Sequence, residues 1–337
     1  KKEEKPKREV QASFESTLPI NILEKVLDKL NPKNKKLFLE DLLNRPLAEY
    51  WNREKLKERM TFAAGLDNGT IALWDVNQNY KYKTIKGHSK SVRCTLQFDE
   101  KRLVTASYDS YIKVWSLETF EQLIEMSGHK DFIRCLLKMD ELTIASGSND
   151  HTIKIWNINT GENLRTVQGS TCFVLTLIEL ERSLWASGTG DGNIIFWDIL
   201  QEDTPKYILE GHKLSAWCLA KLESENLVAS GSGDSTIRVW DYKKKKCKKV
   251  MINGKTNVIG LSVMNKKIIG AFSSDGMIRF WNFYQGEMVK KITAFSNSMI
   301  ICISQIINER IMLTGSSSTE IKIWDFKSPK IGYYINS

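Results

Sequence analysis

Seven tryptophans, Trp74, Trp115, Trp156, Trp197, Trp240, Trp281 and Trp324, recur at intervals of 41 or 43 residues, each closing a run of the type Asp-x-x-Ile-x-Val-Trp. Spacing this regular describes one supersecondary unit copied seven times, and it restricts the fold more than any single motif does. One unit reads Gly87-His88, then three apolar or alternating runs at 91–96, 103–107 and 111–115. Each run has strand length and is bounded by Gly, Asp, Asn or Ser turn residues, which argues for strands throughout. A four-stranded sheet with two apolar faces cannot bury itself alone, whereas seven packed radially can.

An Asp stands six residues before the Trp in five units, as Asp109, Asp150, Asp191, Asp234 and Asp275. A carboxylate there can accept backbone N–H bonds and brace a tight turn between strands. With Gly-His early and a Trp-Asp-like pair late, residues 61 to 337 resemble the WD-repeat β-propeller family. The fold class expected is therefore all-β, a seven-bladed WD-repeat propeller, preceded by a short N-terminal helical module. The resemblance implies three complete hydrogen-bond networks: His88 with Thr105, Asp109 and Trp115; His129 with Ser146, Asp150 and Trp156; His212 with Ser230, Asp234 and Trp240. Other units depart from the pattern. Ser170 replaces one His, Asn68 takes the Asp place in the first unit, and Ser318 takes it in the last.

Because these His and Asp residues recur with the repeat, they read as structural. His151 lies outside the pattern and reads as a solvated turn residue. There is no nucleophile elbow, phosphate loop or metal-spaced cluster beside them, so neither an enzyme nor a cofactor or metal is expected. Cys94, Cys135, Cys218 and Cys302 occupy equivalent first-strand places in different units, too far apart to pair, and read as small buried hydrophobes of a reducing compartment.

The 42% hydrophobic fraction is spread over short runs, none near the ~20 residues of a bilayer span. With no apolar leader after Lys1, the expected location is cytoplasmic, nuclear or both. The net charge of +9 is concentrated at Lys1, Lys2, Lys5, Lys7 and Arg8 and in the lysine run 243–246 with Lys248 and Lys249. The second run falls between the last two strands of a unit, on the outer rim. It reads as a solvated corner, an import signal or a phosphate contact; no Arg-aromatic interleaving supports nucleic acid.

Residues 1–16 form a charged tail and residues 17–58 a helical module, ahead of a propeller at 59–337. Leu18, Pro19, Ile22, Leu23, Val26, Leu27 and Leu30 make an apolar stripe at helical spacing, with Pro near the start and Asn31-Pro32 at the end. This stripe resembles the first helix of an F-box, whose family docks a Skp-type adaptor through such residues. The F-box's Val-Cys-x-x-Trp ending is missing, Trp51 falls several residues late, and a helix packed under the propeller would show the same spacing. The first unit also has no obvious innermost strand, and residues 10–14 and 47–58 are the two candidates for it.

The phrases Val92-Arg93-Cys94 and Thr105-Ala106-Ser107-Tyr108-Asp109 resemble those of F-box/WD-repeat substrate receptors of cullin-RING ubiquitin ligases. That resemblance implies a phosphopeptide-binding set of Arg93, Tyr108 and Arg134 on the face around the channel. Asn149, Gly190 and Gly233 stand where Tyr108 does, and Leu175 and Trp217 where the arginines do, so the pocket is smaller than the family's fullest. The function expected is a non-enzymatic receptor with protein partners, a Skp-type adaptor and phosphorylated substrates. The alternatives are a scaffold without a ubiquitin role and, on charge alone, a nucleic-acid-associated propeller.

Overall fold

The computed structural model of the protein describes residues 61–75, 80–199, 203–222, 226–307, 311–317, 320–325 and 334–336. These form seven antiparallel sheets, here blades one to seven in chain order; six have four strands and the first has three. Blade two is Val92–Gln97, Arg102–Ser107, Ile112–Ser116 and Gln122–Met126. Blade three is Ile133–Lys138, Thr143–Ser148, Ile153–Asn157 and Asn163–Val167. Within each blade the strands pair strictly in sequence order, each antiparallel to the one before it. The first strands of successive blades line up next to one another, as where the Cys94 thiol donates to the Arg134 carbonyl across 2.9 Å.

The core lies between sheets. Trp156, 1% exposed, packs with Ile133 and Ile144 of its own blade against Val104, Ile112, Val114 and Met126 of blade two. Trp115, Trp197, Trp240, Trp281 and Trp324 likewise seal their blades against the preceding one. This is why the Trp repeats: each indole fills the wedge that opens as two twisted sheets diverge toward the rim, and truncating one such side chain to Ala costs about 3–5 kcal/mol. Burial pushes the Cys94 thiol up to about 11 and the Cys218 thiol to about 12, so neither is a nucleophile near neutral pH.

A bulge interrupts the first strand of blades two to seven at the same place. In blade two Val92 pairs with Ser107 and Cys94 with Ala106, leaving Arg93 opposite nothing. The equivalent skipped residues are Arg134, Leu175, Trp217, Ile259 and Ile301. Each follows a buried residue and is freed from the pleat, and a bulge re-aims a side chain in this way.

In blade one, Thr61–Gly65 holds the second-strand place: a Cβ on Gly65 would meet Val92 as one on Gly147 would meet Val174. Its partners are Thr70–Asp75 and Tyr80–Lys86. Both candidate innermost segments, 10–14 and 47–58, lie outside the described residues, as do the tail, the helical module with Leu18, Pro19, Ile22, Leu23, Val26 and Leu27, and Ser318.

Candidate recognition face

Three blades contain a continuous hydrogen-bond chain from indole to turn. The Trp115 indole N–H donates to Thr105 Oγ1 at 2.9 Å, that hydroxyl lies 2.8 Å from His88 Nε2, and His88 Nδ1 lies 2.9 Å from Asp109 Oδ2. Trp156, Ser146, His129 and Asp150 repeat it at 2.8, 2.7 and 2.7 Å. Trp240, Ser230, His212 and Asp234 do so at 2.8, 2.6 and 3.0 Å. An indole nitrogen only donates, so the hydroxyl oxygen accepts there, and it keeps a hydrogen and a second lone pair with which to meet Nε2 while Nδ1 faces the carboxylate. Burial holds the His129 and His212 pKa values below 6.5, against a partial opposing pull from Asp150 and Asp234.

The carboxylates brace two connections at once. Burial opposes ionisation of Asp109, but His88 and the N–H groups of Ser89 and Tyr111 outweigh it and hold its pKa at about 2. Asp234 is held at about 2 in the same way by Thr236, Lys213 and His212. The residue after each turn acid is left-handed: Ser110, His151 and Ser235 have φ of 72°, 67° and 66°. Gly69 and Gly276 fill the same place in blades one and six, where a Cβ would lie 2.1 Å from the carbonyls of His88 and Phe295. His151 is exposed, its ring edge-on to Phe173.

The remaining blades close the chain differently. In blade six the Trp281 indole donates to Asn253 Oδ1 at 2.8 Å and Asn253 Nδ2 donates to Ser273 Oγ at 2.7 Å. Arg279 there binds both Ser273 and Asp275. Asn253 was not singled out from sequence because Asn253-Gly254 reads as a turn. The signal was present: counting back 27 or 28 residues from the Trp lands on His88, His129, His212 and Asn253 alike. In blade four the Trp197 indole reaches Ser187, while Ser170 turns to the Cys172 carbonyl. In blade one Asn68 accepts from Thr70 N and Oγ1.

The bulged side chains sit over the strand ends beside the residues that precede the turn acids. Backbone bonds tie the two sets together, Tyr108 N to Ser91 O and Asn149 N to Phe132 O at 3.0 and 2.9 Å. Arg134 is clamped: Nε donates to Asn149 Oδ1 at 2.8 Å, Nη1 donates to the Tyr108 hydroxyl, and the guanidinium lies 4.6 Å from the Tyr108 ring centre. Tyr108 in turn stacks on Phe132 at 4.4 Å and 11°, and the Lys90 ammonium lies 5.4 Å from Phe132. Arg93 is exposed one strand away. The face therefore brings Arg93, Tyr108 and Arg134 onto neighbouring blades and adds Phe132, Asn149 and Lys90, which only the folding of one blade against the next places there. Further round, Trp217 lies over Gly233, where a Cβ would come within 3.3 Å of its indole nitrogen. Two of Arg134's five N–H donors go to protein; its other three have no protein acceptor among the described residues. Such an arrangement suits capture of an anion by an already oriented guanidinium. Among the described residues no three His, Cys, Asp or Glu side chains are grouped to hold a metal ion, and no helix is long and apolar enough to cross a membrane.

The seven sheets and repeated indole-centred turns define a WD-repeat β-propeller. The family model described as "WD domain, G-beta repeat" matches residues 79–116, 120–157 and 203–241, the segments that hold the three complete His–Asp chains. Among solved structures, the computationally designed Ika8 protein superposes with a TM-score of 0.65 at 27% identity, over 81% of this chain and 83% of that one. Among curated proteins, the chain is similar to the probable E3 ubiquitin ligase complex SCF subunit scon-2 of Neurospora crassa, 35% identical over 95 residues. It is also similar to the probable E3 ubiquitin ligase complex SCF subunit sconB of Emericella nidulans, 49% identical over 53 residues. These matches cover 23% and 14% of this chain and only 14% and 8% of the relatives.

Proposed function

We propose that this protein is the recognition subunit of an SCF-type ubiquitin ligase, holding a phosphorylated peptide on the strand-end face of blades two and three. The observation that carries the proposal is the clamped guanidinium of Arg134, fixed by Asn149 and Tyr108 beside the strand that bears Arg93. A phosphoryl group brings about −1.5 to −2 charge and three acceptor oxygens, which two guanidiniums can meet with forked, charge-assisted bonds. Orientation by Asn149 reduces the rotamer entropy lost on binding. The similarity to SCF subunits supports the ligase context, and the F-box-like stripe at 18–30 supplies the adaptor contact. Bond-making chemistry would belong to the ligase's other subunits, with this chain as a non-catalytic adaptor in the cytoplasm or nucleus.

Two measurements test it. Titration with singly and doubly phosphorylated peptides should show the Arg93→Ala/Arg134→Ala protein losing about 3–4 kcal/mol of affinity, over a hundredfold, while unphosphorylated peptides bind weakly to both. Equal affinity in wild type and variant would remove the phosphate site. Coexpression with a Skp-type adaptor should give a stable complex that Leu23→Asp/Leu27→Asp abolishes. A protein that never copurifies with the adaptor is a scaffold without a ligase role.

A further inference from the structure

We infer that the side wall of the ring across blades five and six is a docking surface for an anionic lipid bilayer. The lysine run that stands out in the sequence is folded. Residues 242–245 make the turn and Lys246–Ile252 the outermost strand of blade five, in register with Thr236–Asp241. Its backbone is committed to that ladder, so the run acts as a fixed patch and not as a segment that can be drawn out into a transport receptor. The outermost strand of blade six, Glu287–Thr293, adds exposed Lys290 and Lys291. The Lys249 ammonium donates to the Gln285 carbonyl at 3.3 Å, which joins the two strands into one wall.

The charge on this wall is unbalanced. Asp241 faces Lys248 at 3.5 Å, Glu181 faces Lys243 at 2.7 Å, and Glu287 is the third carboxylate at hand among the described residues, against eight lysines. Neither outer strand carries an arginine. Lysines are flexible point charges, suited to the diffuse potential of a charged surface more than to forked recognition of one phosphate.

Aliphatic side chains interleaved with these lysines decide the partner. Ile252 is 72% exposed and Val289 61%, with Val250, Met288 and Tyr284 about half exposed beside them. A polynucleotide would use the ammonium groups and gain nothing from the methyls. A bilayer uses both: lysine stems lie along the surface with their heads among the anionic groups, aliphatic tips enter the headgroup boundary, and a tyrosine suits that interface. The wall is also separate from the strand-end face bearing Arg93 and Arg134, so a membrane-bound ring keeps that face accessible. On the wall across blades two and three, by contrast, lysines are matched by acids: Lys101 lies 3.4 Å from Glu118 and Lys113 3.0 Å from Glu125.

The test is flotation of the full chain with phosphatidylcholine vesicles, with and without about a third phosphatidylserine. The chain should float only with the anionic vesicles and be released as salt rises. Lys244→Gln/Lys245→Gln/Lys290→Gln should weaken partitioning at least about tenfold, and Ile252→Ser/Val289→Ser, which leaves every charge in place, several-fold. All these side chains are exposed, and matching thermal melts will show that the ring is intact; should the lysine variant melt early, the serine pair and the salt titration decide. Equal flotation with neutral and anionic vesicles, or none with either, overturns the inference. So does tight binding of a duplex oligonucleotide through the same lysines while the serine pair leaves vesicle binding unchanged, which would make the wall a nucleic-acid surface.

Discussion

Blades three and six solve one problem with different chemistry. Both must satisfy a buried indole N–H and brace the turn between the second and third strands. Blade three does so with Ser146, His129 and Asp150, and blade six with Asn253, Ser273 and an Arg279–Asp275 pair. The fold thus demands an acceptor for the indole and an acid at the turn, and it tolerates several routes between them. The routes differ in what they do with protons: imidazole titrates near neutrality, an amide does not.

The largest contrast should come from removing the turn acids. Asp150 accepts from His129, Lys130 N and Thr152 N and Oγ1, so Asp150→Ala should cost about 3 kcal/mol in urea denaturation. Asp275→Ala should cost about 1 kcal/mol, because Arg279 keeps its bond to Ser273. Equal losses would mean that the two turns are braced alike.

A smaller effect sharpens the comparison through pH. The folded-state pKa values of His129 and His212 lie below 6.5, so the unfolded chain takes up protons first; their contribution is present above 6.5 and is lost as pH falls. Melting temperature should therefore drop between about pH 7 and pH 5. A second decline should follow below 3.8, as acid reaches Asp109 and Asp234, whose pKa values in the folded ring are about 2. His129→Asn, which copies the amide of blade six, should cost about 1–2 kcal/mol at neutral pH and flatten the first of these declines. An unchanged slope in that variant would show that His129 is not a source of acid sensitivity.

The smallest effect belongs to the residue after the turn acid. His151 holds a left-handed φ of 67° where blade six has Gly276, so His151→Gly should raise stability by about 0.5 kcal/mol, read from the melt. A loss would mean that the contact with Phe173 outweighs the strain.

Blade number and strand order were legible because repetition amplifies a weak signal: one Trp-terminated run is ambiguous, while seven at one spacing are not. Positions that depend on repeat phase, such as the turn acids, were legible for the same reason, whereas Arg93, Tyr108 and Arg134 were named from a family resemblance and await the peptide titration. Asn253 was obscured because a residue whose local pairing with Gly254 signals a turn was recruited by a tryptophan 28 residues away. The clamp on Arg134 was hidden differently. Phe132, Asn149 and Lys90 meet Tyr108 and Arg134 only once two blades pack, and no periodicity within a single blade encodes a contact between two.

The skipped residue in the first strand of six blades has a consequence for how such a ring can change. Side chains at 93, 134, 175, 217, 259 and 301 are skipped by the ladder; where they are exposed, as Arg93 and Ile301 are, exchanging one need not disturb the wedge of indoles and aliphatics beneath, whereas Leu175 is buried and Ile259 packs against the core between blades six and seven. Arginine, leucine, tryptophan and isoleucine already occupy these equivalent places in a single chain. At the exposed sockets the molecule thus separates the residues that keep it folded from those that shape its strand-end face, and that face can be edited there while the frame stays constant.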